Sequence, residues 1–195
     1  MKMKKLTENA ISLLKKLIET PSFSSEEENT AKLIEGWFTE NKIPFKRTEN
    51  NIWATNKYFD KSKPTLLLNS HHDTVKPNSA YTKNPLKAIV EDGKLYGLGS
   101  NDAGGCLVSL MATFTNFYAH ENLNYNLVIV ASAEEENSGC NGLNSMLSII
   151  PHIDVAIVGE PTLMNLAVAE KGLVVFDAVV EGTPSHAAHP NSNNA

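Results

Sequence analysis

The stretch TLLLNSHHDTVKP, residues 65–77, constrains the fold more than any other part of the chain. Leu66, Leu67 and Leu68 form a short continuous apolar run, the pattern of a strand covered on both faces. That run leads straight into His71, His72 and Asp73. Two later segments repeat the arrangement: YNLVIVAS leads into Glu134, Glu135 and Glu136, and DVAIVG leads into Glu160. Three buried strands that each end in ligand-type side chains imply a sheet whose polar chemistry is gathered along one edge.

Helices to cover such a sheet are legible between the strands. Leu6, Ala10, Leu13, Leu14, Leu17 and Ile18 share one helical face that ends at Thr20-Pro21. SSEEENTAKLIEGWF opens with a capping box from Ser25 to Glu28 and continues with Ala31, Ile34, Trp37 and Phe38 on one face. A third helix is expected over 103–119, with Leu107, Leu110, Met111, Phe114 and Phe117 as its apolar face, and a fourth over 139–150. A pair of strands is expected around Phe45 and Ile52-Trp53, joined through Asn50-Asn51. Asp92-Gly93 predicts a hairpin turn between 87–91 and 94–96. After Pro161 the texture changes to longer alternating strands, NLAVAEKGLVVFDAVVEG, hinged at Lys171-Gly172. The expected class is α/β: a three-layer domain with a mostly parallel sheet and helices on both faces, followed by an antiparallel addition or a second domain.

Bulk properties exclude several functions. The net charge of -5 opposes nucleic-acid binding, and no Lys/Arg cluster forms a phosphate-reading face. No apolar run is long enough to span a membrane. The beginning, MKMKKLTENAISLLKKL, is basic like a signal peptide, but Lys15 and Lys16 interrupt its apolar stretch. Cys106 and Cys140 form no CxxC pair and fit core positions in a reducing compartment, so a cytoplasmic protein is expected.

Ligands of an open α/β sheet bind beyond the carboxyl ends of its strands. Parallel strands would bring His71, Asp73, the 134–136 acids and Glu160 together there. Asp102 joins them from the start of the third helix, although alone it fits a helix cap as well as a ligand. Gly104-Gly105 weakens the capping reading, because glycines in a first helical turn are costly unless something approaches the backbone closely. Clustered carboxylates repel unless a cation neutralises them, and a mixed histidine and carboxylate set suits zinc, cobalt or manganese better than calcium. His71 and Asp73, two apart in an extended chain, point the same way, as a ligating imidazole and its orienting carboxylate do, or two ligands side by side. His72 points the other way.

SHHDTVKP, YGLGSNDAGG, AEEENS, VGEPT and EGTPSHAAHP stand in the order and spacing of the dinuclear zinc metallopeptidases that include acetylornithine deacetylase and succinyl-diaminopimelate desuccinylase. The chain resembles that family from Leu66 onward. The resemblance implies two zinc ions, with cobalt or manganese as alternatives. His71 and Glu160 would complete one ion's ligands, Asp102 would bridge, and Glu136 would serve the second. Asp73 would orient His71, Glu135 would be the general base and Glu134 the acid preceding it. His186 would hold the substrate's oxyanion from a lid domain, often across a homodimer interface. A cis peptide is implied at Asp102–Ala103. The implied reaction is amide hydrolysis of a small N-acyl amino acid by a dizinc-bound hydroxide, with acetyl- or succinyl-ornithine in arginine biosynthesis as the leading substrate. Desuccinylase, aminoacylase and dipeptidase chemistry, or a catalytically silent metal-binding module, are the alternatives.

The chain departs from the family pattern in three ways. Ser70 stands where glycine is common and Leu98 where arginine is common, and both bear on packing. The family's last zinc ligand is a histidine far downstream of the lid, and His189 is no substitute for it. Residues 1–171 are therefore expected to be the amino-terminal part of a catalytic domain, and 172–195 the beginning of a lid and dimerisation domain.

Overall fold

The computed structural model describes residues 2–169, together with 171, 172, 174, 176, 178, 179, 181 and 182. The elements are α1 (Lys2–Glu19), α2 (Glu28–Glu40), β1 (Lys46–Thr48), β2 (Asn51–Thr55), β3 (Thr65–His71), β4 (Ile89–Glu91), β5 (Lys94–Tyr96), α3 (Cys106–Phe117), β6 (Asn126–Ser132), α4 (Leu143–Met146) and β7 (Val155–Val158). A kinked π-type turn, Ser100–Gly105, leads into α3.

The main sheet has the order β1-β2-β6-β3-β7, and β4 pairs with β5 in a separate hairpin. Strand β3 runs parallel to both β6 and β7, while β2 is antiparallel to β6 and β1 to β2. The register sets His71 beside Ser132 and Asn69 beside Val158, so the carboxyl ends of the three parallel strands share one edge. Every residue of β6 is buried, because it lies at the centre of the sheet and both its faces are covered.

Alternation along the strands divides the core in two. Ile52, Ala54, Leu68, Leu127, Ile129 and Ala131 pack with the apolar faces of α1, α2 and α3. Trp53, Leu67, Val128 and Val130 pack on the other side with Met146 of α4 and Ile150. All six apolar residues expected on the inner face of α1 are buried, as are Ala31, Ile34, Trp37 and Phe38 of α2.

Several expectations are corrected. The α2 capping box does not form: Glu27 is the N-cap residue, without a side-chain capping bond, and Ser25 takes a left-handed conformation (φ 74°). The first tight turn is at Glu49-Asn50, one residue earlier than expected, with the register Thr48 opposite Asn51. The helix expected over 103–119 starts at Cys106, because the preceding six residues form the kinked turn. The helix expected over 139–150 shrinks to Leu143–Met146, because its first residues close the loop after β6: the Gly139 N–H donates to the Glu134 carbonyl and the Asn141 N–H to the Glu134 carboxylate.

Strand β7, read as buried, is exposed at all four residues, since it is the outer strand of the sheet among the described residues. The alternating segment after Pro161 carries no strand among its described residues. Nothing there covers Leu166, Val168, Val174, Phe176 and Val179, each more than two-thirds exposed. The remainder of that expectation, and His186 and His189, lie outside the described residues. The chain divides into a compact unit, Met1–Leu163, and a second unit, Met164–Ala195. No helix among the described residues is long and apolar enough to cross a membrane.

Phe114 of α3 is fully buried and meets Phe38 of α2 edge to face, with ring centroids 6.4 Å apart. Phe114→Ala is expected to destabilise the fold by about 3–5 kcal/mol in urea unfolding followed by circular dichroism. Ile11→Ala, on the exposed face of α1, is expected to change it by less than about 0.5 kcal/mol.

Candidate metal centre

His71, the last residue of β3, is almost wholly buried and anchors the site. Its Nδ1–H donates to the Asp73 carbonyl at 3.0 Å and lies 3.3 Å from the Asp73 carboxylate. Its Nε2–H donates to Asp102 Oδ1 at 3.2 Å. Glu135 Oε2 and Glu160 Oε2 each lie 3.8 Å from the same Nε2. One nitrogen is therefore held from behind by Asp73, and the other faces a semicircle of acids.

Asp102 reaches the site through the Ser100–Gly105 turn. The Asp102–Ala103 peptide is cis, and Asp102 itself has extended backbone angles that break the helix. The Gly104 N–H donates to the Gly99 carbonyl at 2.9 Å, and a Cβ on Gly104 would stand 2.5 Å from that oxygen. The close approach that this glycine permits is made by the chain's own backbone.

Glu135 and Glu136 come from the loop after β6. Both N–H groups donate to the Asp73 carboxylate, at 3.1 Å each, and Ser24 Oγ donates to it at 2.7 Å. One buried carboxylate thus joins the end of β3 to the loop after β6. Ligand atoms of His71, Asp102 and Glu136 all lie within 4.8 Å of one another. Glu160 follows β7, where Ser70 Oγ donates to the Gly159 carbonyl at 2.8 Å. Ser70 was expected to matter for packing, but its hydroxyl ties β3 to the residue before Glu160. Ser24 carried no signal in the sequence at all.

The other half of the HHD triplet turns inward. Burial holds the pKa of His72 below its ordinary value, which fits a neutral ring. Its Nε2–H donates to the Asn50 carbonyl and its Nδ1 accepts from the Thr30 hydroxyl, both at 2.9 Å.

The electrostatics describe a site with an excess of negative charge. Burial opposes a charged His71, but its hydrogen bond to Asp73 and the charges of Asp73, Glu160 and Glu135 outweigh this and raise its pKa to about 9. Burial, then the neighbouring acids, raise Glu160 to about 6 against the opposing pull of His71. Burial and Asp102 likewise push Glu136 upward. Asp73 moves the other way, to about 2, because His71, Ser24 and the two loop N–H groups overcome its burial. Without a cation the cluster holds a proton on imidazole and resists full ionisation of its carboxyls. A divalent cation would replace that proton, and the nitrogen and oxygen donors suit a transition metal. The residues fit such an ion.

The family model of peptidase family M20/M25/M40 matches residues 67–194. Succinyl-diaminopimelate desuccinylase of Buchnera aphidicola subsp. Cinara cedri is 30% identical over 200 residues, covering 93% of this chain and 52% of the relative. Acetylornithine deacetylase of Buchnera aphidicola subsp. Acyrthosiphon pisum is 29% identical over 194 residues, covering 93% and 50%. The chain spans about half the length of these curated relatives. Among solved structures, the dipeptidase Dug1p of Saccharomyces cerevisiae superposes with a TM-score of 0.65 at 22% identity, over 82% of this chain and 40% of that one. An M20 family metallo-carboxypeptidase from Sulfolobus solfataricus superposes with a TM-score of 0.65 at 21% identity, over 77% and 37%. These two likenesses establish the fold.

Metal uptake is expected to depend on pH in a defined sense. Below about 9 an incoming ion must displace the His71 proton, and below about 6 that of Glu160 as well. Zinc or cobalt affinity should therefore fall as pH is lowered from 9, and fall more steeply below 6. Titration calorimetry in buffers of different ionisation enthalpy should show about one proton released per first ion bound at pH 7.5. Uptake without proton release would contradict this account of His71.

Proposed function

The chain belongs to peptidase family M20/M25/M40, and from that premise we propose that it carries the metal-binding half of an amidohydrolase acting on small N-acyl amino acids. The observation that carries this reading is the meeting of His71, Asp102, Glu135, Glu136 and Glu160 at the carboxyl edge of one parallel sheet. Asp102 would bridge two ions, with His71 and Glu160 serving one and Glu136 the other. Zinc is the first candidate, and cobalt or manganese would suit the same donors. Bound there, the ions would act as Lewis acids on water and on the amide carbonyl.

The chain's own residues supply the rest. Glu135 Oε2 lies 3.8 Å from His71 Nε2, on a backbone held by Asp73, so its carboxylate is presented to the same space as the ligands. It takes a proton from the attacking water as the oxygen bonds to the carbonyl carbon. It then delivers that proton to the nitrogen as the C–N bond breaks, leaving a carboxylic acid and an amine, which pass the remaining proton between them to become carboxylate and ammonium. Asp73 keeps the imidazole of His71 oriented with Nε2 toward the ion. His186 would meet the oxyanion from the lid. Residues 1–171 would belong to the catalytic domain and 172–195 would open the lid and dimerisation domain, with a homodimer as the working assembly.

An acyl-ornithine is the leading substrate, which would place the reaction in arginine biosynthesis. Cys106 is half-buried and Cys140 exposed, so neither fills the core position expected of it, but both thiols are free, which suits a cytoplasmic setting. The desuccinylase relative favours a second reading, succinyl-diaminopimelate, since it matches as well as the deacetylase does. Both substrates place an N-acyl group on an amino acid that carries a second amine, and the same carboxylates would serve either.

Release of free amine from N-acetylornithine, N-succinylornithine and N-succinyl-diaminopimelate is the direct test, with the zinc-loaded protein that contains this chain. One of the three should be hydrolysed. Glu135→Ala should lower kcat by about 10²–10⁴-fold while the metal content is unchanged. No hydrolysis of these or of other N-acyl amino acids by the metal-loaded protein would refute the proposal.

A further inference from the structure

The loop that carries Glu135 and Glu136 is held by more than its neighbours at the metal cluster. Ala133, Glu134, Glu135 and Glu136 are consecutive, and the N–H of each meets a side-chain oxygen. Asn51 Oδ1 receives Ala133 at 3.0 Å, Glu27 Oε1 receives Glu134 at 3.2 Å, and the two Asp73 oxygens receive Glu135 and Glu136 at 3.1 Å each. The three acceptors come from the start of β2, the turn before α2, and the residues after β3.

Two of them have an evident local role. Asp73 orients His71, and Asn51 begins the inner strand of the β1–β2 hairpin. Glu27 has none of comparable weight. Its side chain is fully buried, contacts no cation among the described residues, and makes no capping bond into α2. Its Oε1 also accepts the Ser25 N–H at 2.7 Å, and its Oε2 accepts Asn50 Nδ2 at 2.9 Å. A buried carboxyl is costly unless its oxygens are hydrogen-bonded, and here the bonding spans 107 residues to reach the loop.

At the far end of that bond the backbone is in a conformation that needs holding. Glu134 is left-handed (φ 53°), which a non-glycine residue keeps only when its surroundings impose it. Its own carboxylate accepts the Asn141 N–H and Asn141 Nδ2, both at 3.0 Å, closing the loop from the other side. The next two residues after this turn are the ones directed at His71 and Asp102.

We propose that Glu27 is a positioning residue: by holding the Glu134 N–H it fixes the left-handed turn that aims Glu135 and Glu136 at the cluster. The proposal deepens the metal-site reading and rests on it for consequence, though not for the loop geometry. The α1–α2 turn then acts as a latch with two catches, Ser24 on Asp73 and Glu27 on Glu134.

The test uses this chain with Glu27→Ala, Glu27→Gln, and Glu27→Gln combined with Asn50→Asp. The readouts are amide exchange at 133–136 and cobalt binding followed by visible absorption. Glu27→Ala should speed exchange at Glu134, Glu135 and Glu136 by about tenfold or more, with the β6 amides within about threefold of wild type. It should weaken cobalt binding by about 10–100-fold. Glu27→Gln sets Nε2 against Asn50 Nδ2, two donors, and should show the same defects in milder form. Adding Asn50→Asp restores a donor facing an acceptor and should return both readouts toward wild type. If Glu27→Ala does not fold, the glutamine variant and its rescue decide.

Unchanged loop exchange and cobalt affinity in Glu27→Ala would overturn the proposal. So would loop and β6 amides accelerating together without rescue, which is what a merely structural role predicts. A wild-type chain that takes up no cobalt would count against the metal reading instead, and loop exchange alone would then judge Glu27.

Discussion

The parallel pairing of β3 with β6 is the constraint on which the site depends. It is set by seven residue pairs from Thr65–Asn126 to His71–Ser132, and apolar side chains fill both faces along most of that length. A slip of one residue would turn every side chain of β3 to the opposite face of the sheet. Leu67 and Leu68 would exchange cores, and His71 would no longer face Asp102. Burial of leucine and valine thus fixes the orientation of a histidine that contributes nothing to the apolar core.

Beyond the strand ends, order is carried by hydrogen bonds instead of apolar area. Asp73 gathers Ser24, His71 and two loop N–H groups on one carboxylate, which is why its pKa falls to about 2 despite its burial. Each bond satisfies a group that would otherwise lose solvent without compensation. The same bonds leave Asp102, Glu135 and Glu160 at least one-third exposed, open to what binds there. Rigid backbone behind accessible carboxylates is the arrangement that preorganised ligation requires.

The sequence announced those features that depend on periodicity and on strand-end position. The inner faces of α1 and α2, the central strands, and the gathering of His71, Glu136 and Glu160 follow from apolar periodicity and from apolar runs that stop at polar residues, while Asp102 joins them from the glycine-rich turn before α3. What escaped depended on contacts between distant segments. Nothing near Ser24 or Glu27 marks them as partners of Asp73 and Glu134, and a Ser-to-Glu spacing read as a capping box conceals both. The helix expected over 139–150 was shortened for a related reason: its first residues are bonded to Glu134, and a loop-closing contact outweighs local helical preference. Strand β7 reads as buried because its composition is apolar, yet burial also needs a neighbour on the outer edge, which is not a property of the strand's own residues.

The charge pattern connects these two levels. Four carboxyl groups, Asp102, Glu135, Glu136 and Glu160, converge near one imidazole, and the network behind them adds Asp73, Glu27 and Glu134, with no lysine or arginine hydrogen-bonded to them among the described residues. Protons can supply the compensation: the pKa of His71 is raised to about 9, and that of Glu160 to about 6. A lysine reaching in from a neighbouring element would have neutralised the cluster at fixed cost and filled its centre. Leaving the neutralisation to exchangeable protons keeps the centre available, because an incoming divalent ion can displace them and take their place. The same acids that repel one another are therefore the groups that would favour a divalent cation at this centre.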